Sequence, residues 1–363
     1  MPPKPLHVLI CPLDWGLGHA SRCIPVIRQL IYDGHKATLA GYGRSLILLQ
    51  QEFPLLESIE LQGFSPSYPR SGKMVLQLLL LLPQFVFSII REHRLLKKLI
   101  KKYHFDIVIS DNRYGLWNTN TTSILITHQV MIKTPGWLRL AEYPLYLVSR
   151  LLISRFDECW IPDYPENPGL SGDLSHKYPL PGNAKFVGPL SRFQPSENAE
   201  KKHPEEQIIT AIISGPEPQR TIFEEIVTKQ LHDLDLAATL LCGKPEDRKS
   251  VVTGSKLTIL PHLETDDLQS LIASSSFVIC RSGYSSIMDL NVLGAKALFV
   301  PTPGQTEQIY LAELHEQTGN ALWRTQEKMD LKSDITEALK YKGFDRNGAN
   351  MSLETAIAGL KKK

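Results

Sequence analysis

The chain is predicted to be an α/β protein of two Rossmann-like, doubly wound domains, and two observations predict this. Short apolar runs alternate with helical stretches along nearly all 363 residues, the pattern of parallel strands joined by crossover helices. The alternation forms two series, divided by a Gly-Pro pair and a polar stretch, which suits two sheets better than one.

In the first series, strands are expected near 7–11, 36–41, 57–61, 106–110, 123–127 and 157–161, each an apolar run rich in Ile, Val or Leu and bounded by turn residues. The second series places them near 208–213, 236–241, 257–260, 277–280 and 297–300. Between them lie Phe186-Val187-Gly188-Pro189-Leu190 and the polar stretch Gln194 to Glu206, which reads as a hinge. The boundaries are therefore 1–190 and 191–363, with the helical stretch Leu353 to Leu360 placed to cross back onto the first domain. A hydrophobic content of 42% is enough for two ordinary cores. The formal net charge of +2 argues against a nucleic-acid partner. Five cysteines, odd in number and mostly inside apolar runs, read as reduced thiols without a disulfide framework or zinc site. MPPKPLHV leads into a strand without a signal-peptide core, so a cytoplasmic location is expected.

Two strand-to-helix turns carry the chemistry. His7 to Cys11 runs into Pro12-Leu13-Asp14-Trp15-Gly16-Leu17-Gly18-His19, and helical periodicity follows from Ala20 to Leu30. Gly16 and Gly18 permit a tight turn at a helix start, a cradle for a phosphate or acceptor. The second turn is Arg281-Ser282-Gly283, after the strand Phe277 to Cys280. Its glycine and hydroxyls open a helix whose dipole and unpaired N–H groups favour a phosphate. Asp289 follows about two helical turns on, and past the next strand come Gly304, Gln305, Glu307 and Gln308, groups able to bond a sugar or base. The same turns can also serve geometry alone. Asp111, at the end of the strand Ile107 to Ser110, stands where α/β sheets place ligand groups, and Thr127-His128-Gln129 ends the following strand.

Residues 281 to 308 resemble the donor-binding half of glycosyltransferase family 28 and its relatives, the inverting GT-B enzymes that include the lipid II-forming UDP-N-acetylglucosaminyltransferase and the UDP-glycosyltransferases. The match rests on the R-S-G turn (Arg281, Ser282, Gly283), an acidic residue six positions after the glycine (Asp289, where the lipid II enzyme has Glu), Pro301 and the glutamine-containing loop ending at Gln308. Gly18-His19 match the Gly-His that ends the family's N-terminal turn, and Thr127-His128-Gln129 is similar to a His-Glu-Gln segment of the lipid II enzyme.

The resemblance implies a GT-B fold, with two domains facing across a cleft, and an inverting transfer from a nucleotide-diphosphate sugar, a UDP-sugar, to a hydroxyl acceptor. Asp289 would hold the ribose, while Gln305, Glu307 and Gln308 meet the sugar and ribose. His19 is the expected base, since neutral imidazole takes a proton near pH 7, and Asp111 the partner that orients it. Gly16, Gly18, His128 and Gln129 would line the acceptor side, with His128 in reserve as base. Ser214-Gly215, with Gly243-Lys244, would approach the donor, and Leu260-Pro261-His262-Leu263 would pass near the nucleobase. The leaving group's charge would rest on the Ser282-Gly283 turn and Arg281. The resemblance implies a metal-independent transfer, so no metal or other cofactor is expected. Two rivals keep the donor site: a GT-B-fold UDP-sugar epimerase, and a non-catalytic nucleotide-sugar-binding subunit of a membrane glycosyltransferase complex.

Met74 to Ile90 is a run of 17 mainly apolar residues that would reach only about 26 Å as a helix, short for a bilayer span. A core helix is the preferred reading. The alternative is an apolar patch beside the basic run Arg91 to Lys102, extended by Met131 to Phe156, resting on an anionic membrane and suited to a lipid-linked acceptor.

Overall fold

The computed structural model describes residues 5–64, 74–195, 208–234, 236–247, 251–253, 256–345 and 351–363. The N-terminal half folds as β1 (His7–Cys11), α1 (Leu17–Tyr32), β2 (Lys36–Gly41), α2 (Gly43–Glu52), β3 (Glu57–Glu60), α3 (Met74–Tyr103), β4 (Ile107–Asp111), β5 (Thr122–Ile126), α4 (Glu142–Ile153), β6 (Glu158–Ile161), α5 (Asp173–His176) and β7 (Ala184–Phe186). Its seven strands form a parallel sheet in the order β3-β2-β1-β4-β5-β6-β7. β1 is an interior strand, with Val8 opposite Ala37 on one side and Ile107 on the other. Val8 to Cys11 are all buried, which is why this strand is a continuous apolar run rather than an alternating one.

The C-terminal half repeats the plan with β8 (Ile208–Ile212), α6 (Gln219–His232), β9 (Ala237–Leu241), β10 (Val251–Thr253), β11 (Leu257–Leu260), α7 (Thr265–Ser274), β12 (Phe277–Cys280), α8 (Tyr284–Leu293), β13 (Ala297–Phe299), α9 (Thr306–Gln317), β14 (Ala321–Trp323), α10 (Leu331–Ala338) and α11 (Met351–Ala358). The order is β10-β11-β9-β8-β12-β13-β14, parallel except for the β10–β11 pair. In each sheet the order reverses beside the first strand, between β1 and β4 and between β8 and β12. The crevice at the carboxyl ends of such strands is where this architecture binds ligands.

The three strands without a sequence-based counterpart, β7, β10 and β14, have three residues each and stand at or next to sheet edges; so short a run carries no period. The expected hinge segment Gln194 to Glu206 falls largely outside the described residues. α11 lies on α1, and one cluster of buried side chains joins Cys23 and Ile27 of α1, Ile287 and Met288 of α8, and Leu353 and Ile357 of α11. Past α11, the Thr122 hydroxyl donates to the Lys361 carbonyl (2.7 Å), and Lys362 and Lys363 pair with Asp106 (2.5 Å) and Asp157 (2.7 Å).

The expectation of a core helix at 74–90 fails where side chains are described, from Leu82 onward. Leu82, Val86, Phe87 and Ile90 are exposed. α3 packs on the sheet through its C-terminal half instead, where Leu96 is buried with Leu9, Phe105 and Val108, and Leu95 and Leu99 lie against them.

Candidate active site at the seam between the domains

The candidate residues stand at the carboxyl ends of adjacent strands, so the sheet order assembles them. In the first domain, the turn after β1 brings Gly16, Gly18 and His19, β4 ends on Asp111, and β5 leads to His128 and Gln129. In the second, Ser214-Gly215 follow β8, Arg281-Ser282-Gly283 follow β12, and Gly304 to Gln308 follow β13. Gly16 is at φ +85 and Gly215 at φ +112, conformations that favour glycine. Helices α1 and α8 both begin on a glycine, Gly16 and Gly283, without a side-chain cap, so their first N–H groups are left to an anion or water.

The two turns meet. The Ser285 hydroxyl donates to the Gly18 carbonyl at 2.8 Å, and a Cβ on Gly18 would stand 2.9 Å from the Ser285 oxygen, too close for any other residue without a shift. Glycine at position 18 leaves room for the close approach of α8. Further contacts close the seam. The Thr306 hydroxyl donates to the Lys133 carbonyl (2.8 Å), the Tyr284 hydroxyl to the Pro162 carbonyl (2.8 Å), and the Asp173 N–H to the Tyr310 oxygen (2.6 Å).

Around His19 lies a buried ionic cluster. His19 Nδ1 is 3.2 Å from Asp111 Oδ1, and the His19 side chain retains 16% exposure while Asp111 has none. Arg22 of α1, one helical turn beyond His19, donates Nε–H to Asp111 Oδ2 at 2.6 Å and also bonds Oδ1. Burial alone would raise the Asp111 carboxyl, but the Arg22 charge, with His19, outweighs it and holds the group below the usual carboxylate range.

His128 is placed differently from its expected role as reserve base. Nδ1 lies 3.2 Å from Arg22 and Nε2 2.8 Å from Glu307 Oε1, and its ring stacks on Tyr284 at 4.1 Å and 9°. Both nitrogens are taken, only 4% of the side chain is exposed, and burial pushes its pKa down. It is a neutral strut between the domains. Glu307 is bonded by His128 and by the Gln129 amide; against burial, which would raise it, the His128 bond keeps its carboxyl low.

The residues expected to meet the donor divide in the same way. The Ser282 hydroxyl donates to the Gln308 carbonyl (2.7 Å), and the Gln308 amide oxygen accepts from Thr302 N–H (2.8 Å). These bonds tie the turn after β12 to the loop after β13, in which Gly304 is at φ +83 and Gln305 precedes α9. Asp289 accepts from the Ser191 hydroxyl at 2.6 Å, fastening α8 to the chain that links the sheets, and burial raises its pKa. Arg281 is not aimed at the turn: its guanidinium bonds the Val300, Pro301 and Gln219 carbonyls and Gln326. The expected leaving-group contact by Arg281 is therefore replaced by a structural role. Among the described residues no group of three or more His, Cys, Asp or Glu is arranged to hold a metal ion.

The sequence reading missed Arg22, Tyr284 and Ser285. Arg22 had a signal, since it follows His19 at the i, i+3 spacing of one helix face. Tyr284 and Ser285 had none, because their partners come from the other domain.

Residues 217–361 match the glycosyltransferase family 28 C-terminal domain. The chain is 26% identical over 340 residues to an uncharacterised glycosyltransferase of Methanosarcina acetivorans, covering 86% of this chain and 84% of that one. It is 22% identical over 339 residues, 92% of this chain and 89% of the relative, to the UDP-N-acetylglucosamine–N-acetylmuramyl-(pentapeptide) pyrophosphoryl-undecaprenol N-acetylglucosamine transferase of Sulfurihydrogenibium sp. (strain YO3AOP1). Among solved structures, the glycosyltransferase of kitacinnamycin superposes with a TM-score of 0.61 at 13% identity, over 98% of this chain and 94% of that one.

Proposed function

We propose that this chain, a family 28-like glycosyltransferase of the GT-B fold, transfers a sugar with inversion from a UDP-sugar to a hydroxyl acceptor, using His19 as the base. The observation that carries the reading is the bond between Ser285 and the Gly18 carbonyl, which sets the base at the start of α1 beside the uncapped start of α8. His19 Nε2 takes the acceptor's proton while the hydroxyl oxygen bonds to the anomeric carbon. The bond from that carbon to the diphosphate oxygen breaks on the opposite face, and the negative charge left on the diphosphate is received by the N–H groups that open α8 at Gly283. No divalent ion is needed for that step. Asp289 and Gln308 are assigned to the ribose and donor sugar, and Gln305 to the sugar.

The acceptor is proposed to be lipid-linked. Leu82, Val86, Phe87 and Ile90 of α3 and Trp137, Leu140, Tyr143, Leu147 and Leu151 around α4 are exposed. Phe85 and Tyr114 lie edge to face at 6.4 Å between the two groups, and Tyr114 packs on the α4 side. Exposed Arg91, Arg94, Lys97, Lys98, Arg139 and Arg150 border them, a combination suited to an anionic bilayer surface. No helix among the described residues is long and apolar enough to cross a membrane. The Sulfurihydrogenibium relative bears a name with UDP-N-acetylglucosamine as donor and a pyrophosphoryl-undecaprenol acceptor, a precedent for both substrates.

Thermal unfolding with UDP and UDP-sugars tests the donor half, since a ligand of the folded state raises the midpoint. A rise without divalent metal, lost in Asp289→Asn, is the expected result; no rise with any uridine nucleotide would refute the donor assignment.

A further inference from the structure

Arg22 has no part in the roles given above, yet its guanidinium contacts both histidines and the carboxylate of the seam. It is 1% exposed. Nε–H donates to Asp111 Oδ2 at 2.6 Å, Nη2 bonds Asp111 Oδ1 and lies 2.8 Å from His19 Nδ1, and Nη1 lies 3.2 Å from His128 Nδ1.

A guanidinium carries donors only. An imidazole nitrogen that bonds it must present a lone pair. At His128 this fixes the tautomer, with Nδ1 bare toward Arg22 and Nε2–H directed at Glu307, 2.8 Å away. At His19 two groups compete for Nδ1: Arg22 at 2.8 Å asks for a lone pair, and Asp111 at 3.2 Å asks for a proton. Only the second state leaves Nε2 bare to accept from a substrate. Asp111 holds that proton only while it is ionised, and a fully buried carboxylate stays ionised through a paired cation; Arg22 is that cation, bonding both of its oxygens.

We infer that Arg22 is the positioning residue of the transfer. By holding Asp111 as the carboxylate that keeps the proton on His19 Nδ1, and by donating to His128 Nδ1, it makes His19 the single imidazole ready to take a proton and sets His128 as a fixed link to Glu307. The inference rests on the reading of His19 as base, and the two are separable by experiment.

The test uses the full chain labelled with 15N-histidine. Two-bond 1H–15N spectra near neutral pH report which nitrogen of each ring is protonated, with assignments from His19→Gln and His128→Gln. Wild type should show His128 protonated on Nε2 alone and His19 on Nδ1. In Arg22→Lys, which keeps the charge and loses the planar fork, the His19 pattern should change and kcat should fall about 100-fold, with the donor KM within about twofold. Guanidinium should restore part of kcat to Arg22→Ala, which a merely structural loss would not permit. A wild-type spectrum with His128 charged or protonated on Nδ1, or Arg22→Lys with wild-type kcat, overturns the inference. If neither variant folds, the wild-type spectrum decides alone. If no donor is turned over by wild type, the proposed function fails, while the tautomers still test the assignment to Arg22.

Discussion

Arg281 sits one residue from Ser282, yet its guanidinium runs back beneath the turn to the Val300, Pro301 and Gln219 carbonyls at 2.9, 3.1 and 3.1 Å. It also lies over the Phe223 ring at 3.9 Å. Burial lowers its pKa to about 9, so at neutral pH it is still charged and still donates. A buried carbonyl stripped of its partner costs about 1–3 kcal/mol. Arg281→Met should therefore lose roughly 3 kcal/mol or more of unfolding free energy in urea; a loss under about 1 kcal/mol would contradict this account of the residue. At this scale the sequence was legible where chemistry is local. His19 after Gly18, and Asp111 at the end of a strand, stand where their surroundings announce them. The direction of a guanidinium is set by partners distant in the chain, Val300 for Arg281 and Asp111 for Arg22, and no local pattern contains it.

Helix α9 shows what an element contributes beyond its residues. Its first turn supplies Glu307 to His128, and its far end holds His315, buried, with Nε2–H donating to the Leu170 carbonyl (3.1 Å) and Nδ1 near the Asn320 amide (3.2 Å). Burial, the leading cause, lowers the His315 pKa to about 4. The unfolded chain, with the ordinary value near 6.5, therefore binds more protons between those limits. The stability that comes with a neutral His315 is full above about pH 6.5 and is lost as pH falls toward 4. The upper bound is about 3 kcal/mol. His262, lowered to about 4 by burial and then by Arg192, adds in the same window. Chemical denaturation at pH 7 and 4.5 should give a smaller drop for His315→Gln than for wild type, and equal drops would contradict the assignment. Elements were legible where period and length agreed, as in β1 and α1. They were not for α3, whose apolar N-terminal half reads as core although Phe87 is 66% exposed, because apolar composition does not say whether a sheet lies beneath.

Over the whole molecule, two sheets of the same plan meet through the segments at the carboxyl ends of their strands, so the seam sets the proposed base of one domain beside the uncapped helix start of the other. The repeat of strand and helix made that architecture legible, along with the place of each turn. The contacts that hold the seam, Ser285 to Gly18 and Glu307 to His128, join residues 267 and 179 positions apart and were not legible. The exposed apolar groups of α3 and α4 belong to this scale as well. Phe87→Ser and Trp137→Ser together should weaken binding to phosphatidylglycerol vesicles, with a further loss at high salt; undiminished binding would remove the membrane from the account. The central claim is that His19 does chemistry at this seam rather than shape it. The measurement that tests it most directly is turnover of a bound UDP-sugar by His19→Ala, with the anomeric configuration of the wild-type product read by NMR. His19→Ala should keep wild-type donor affinity and lose about 100- to 10,000-fold in kcat, and the wild-type product should be inverted. Wild-type turnover by His19→Ala, or a product of retained configuration, would contradict it.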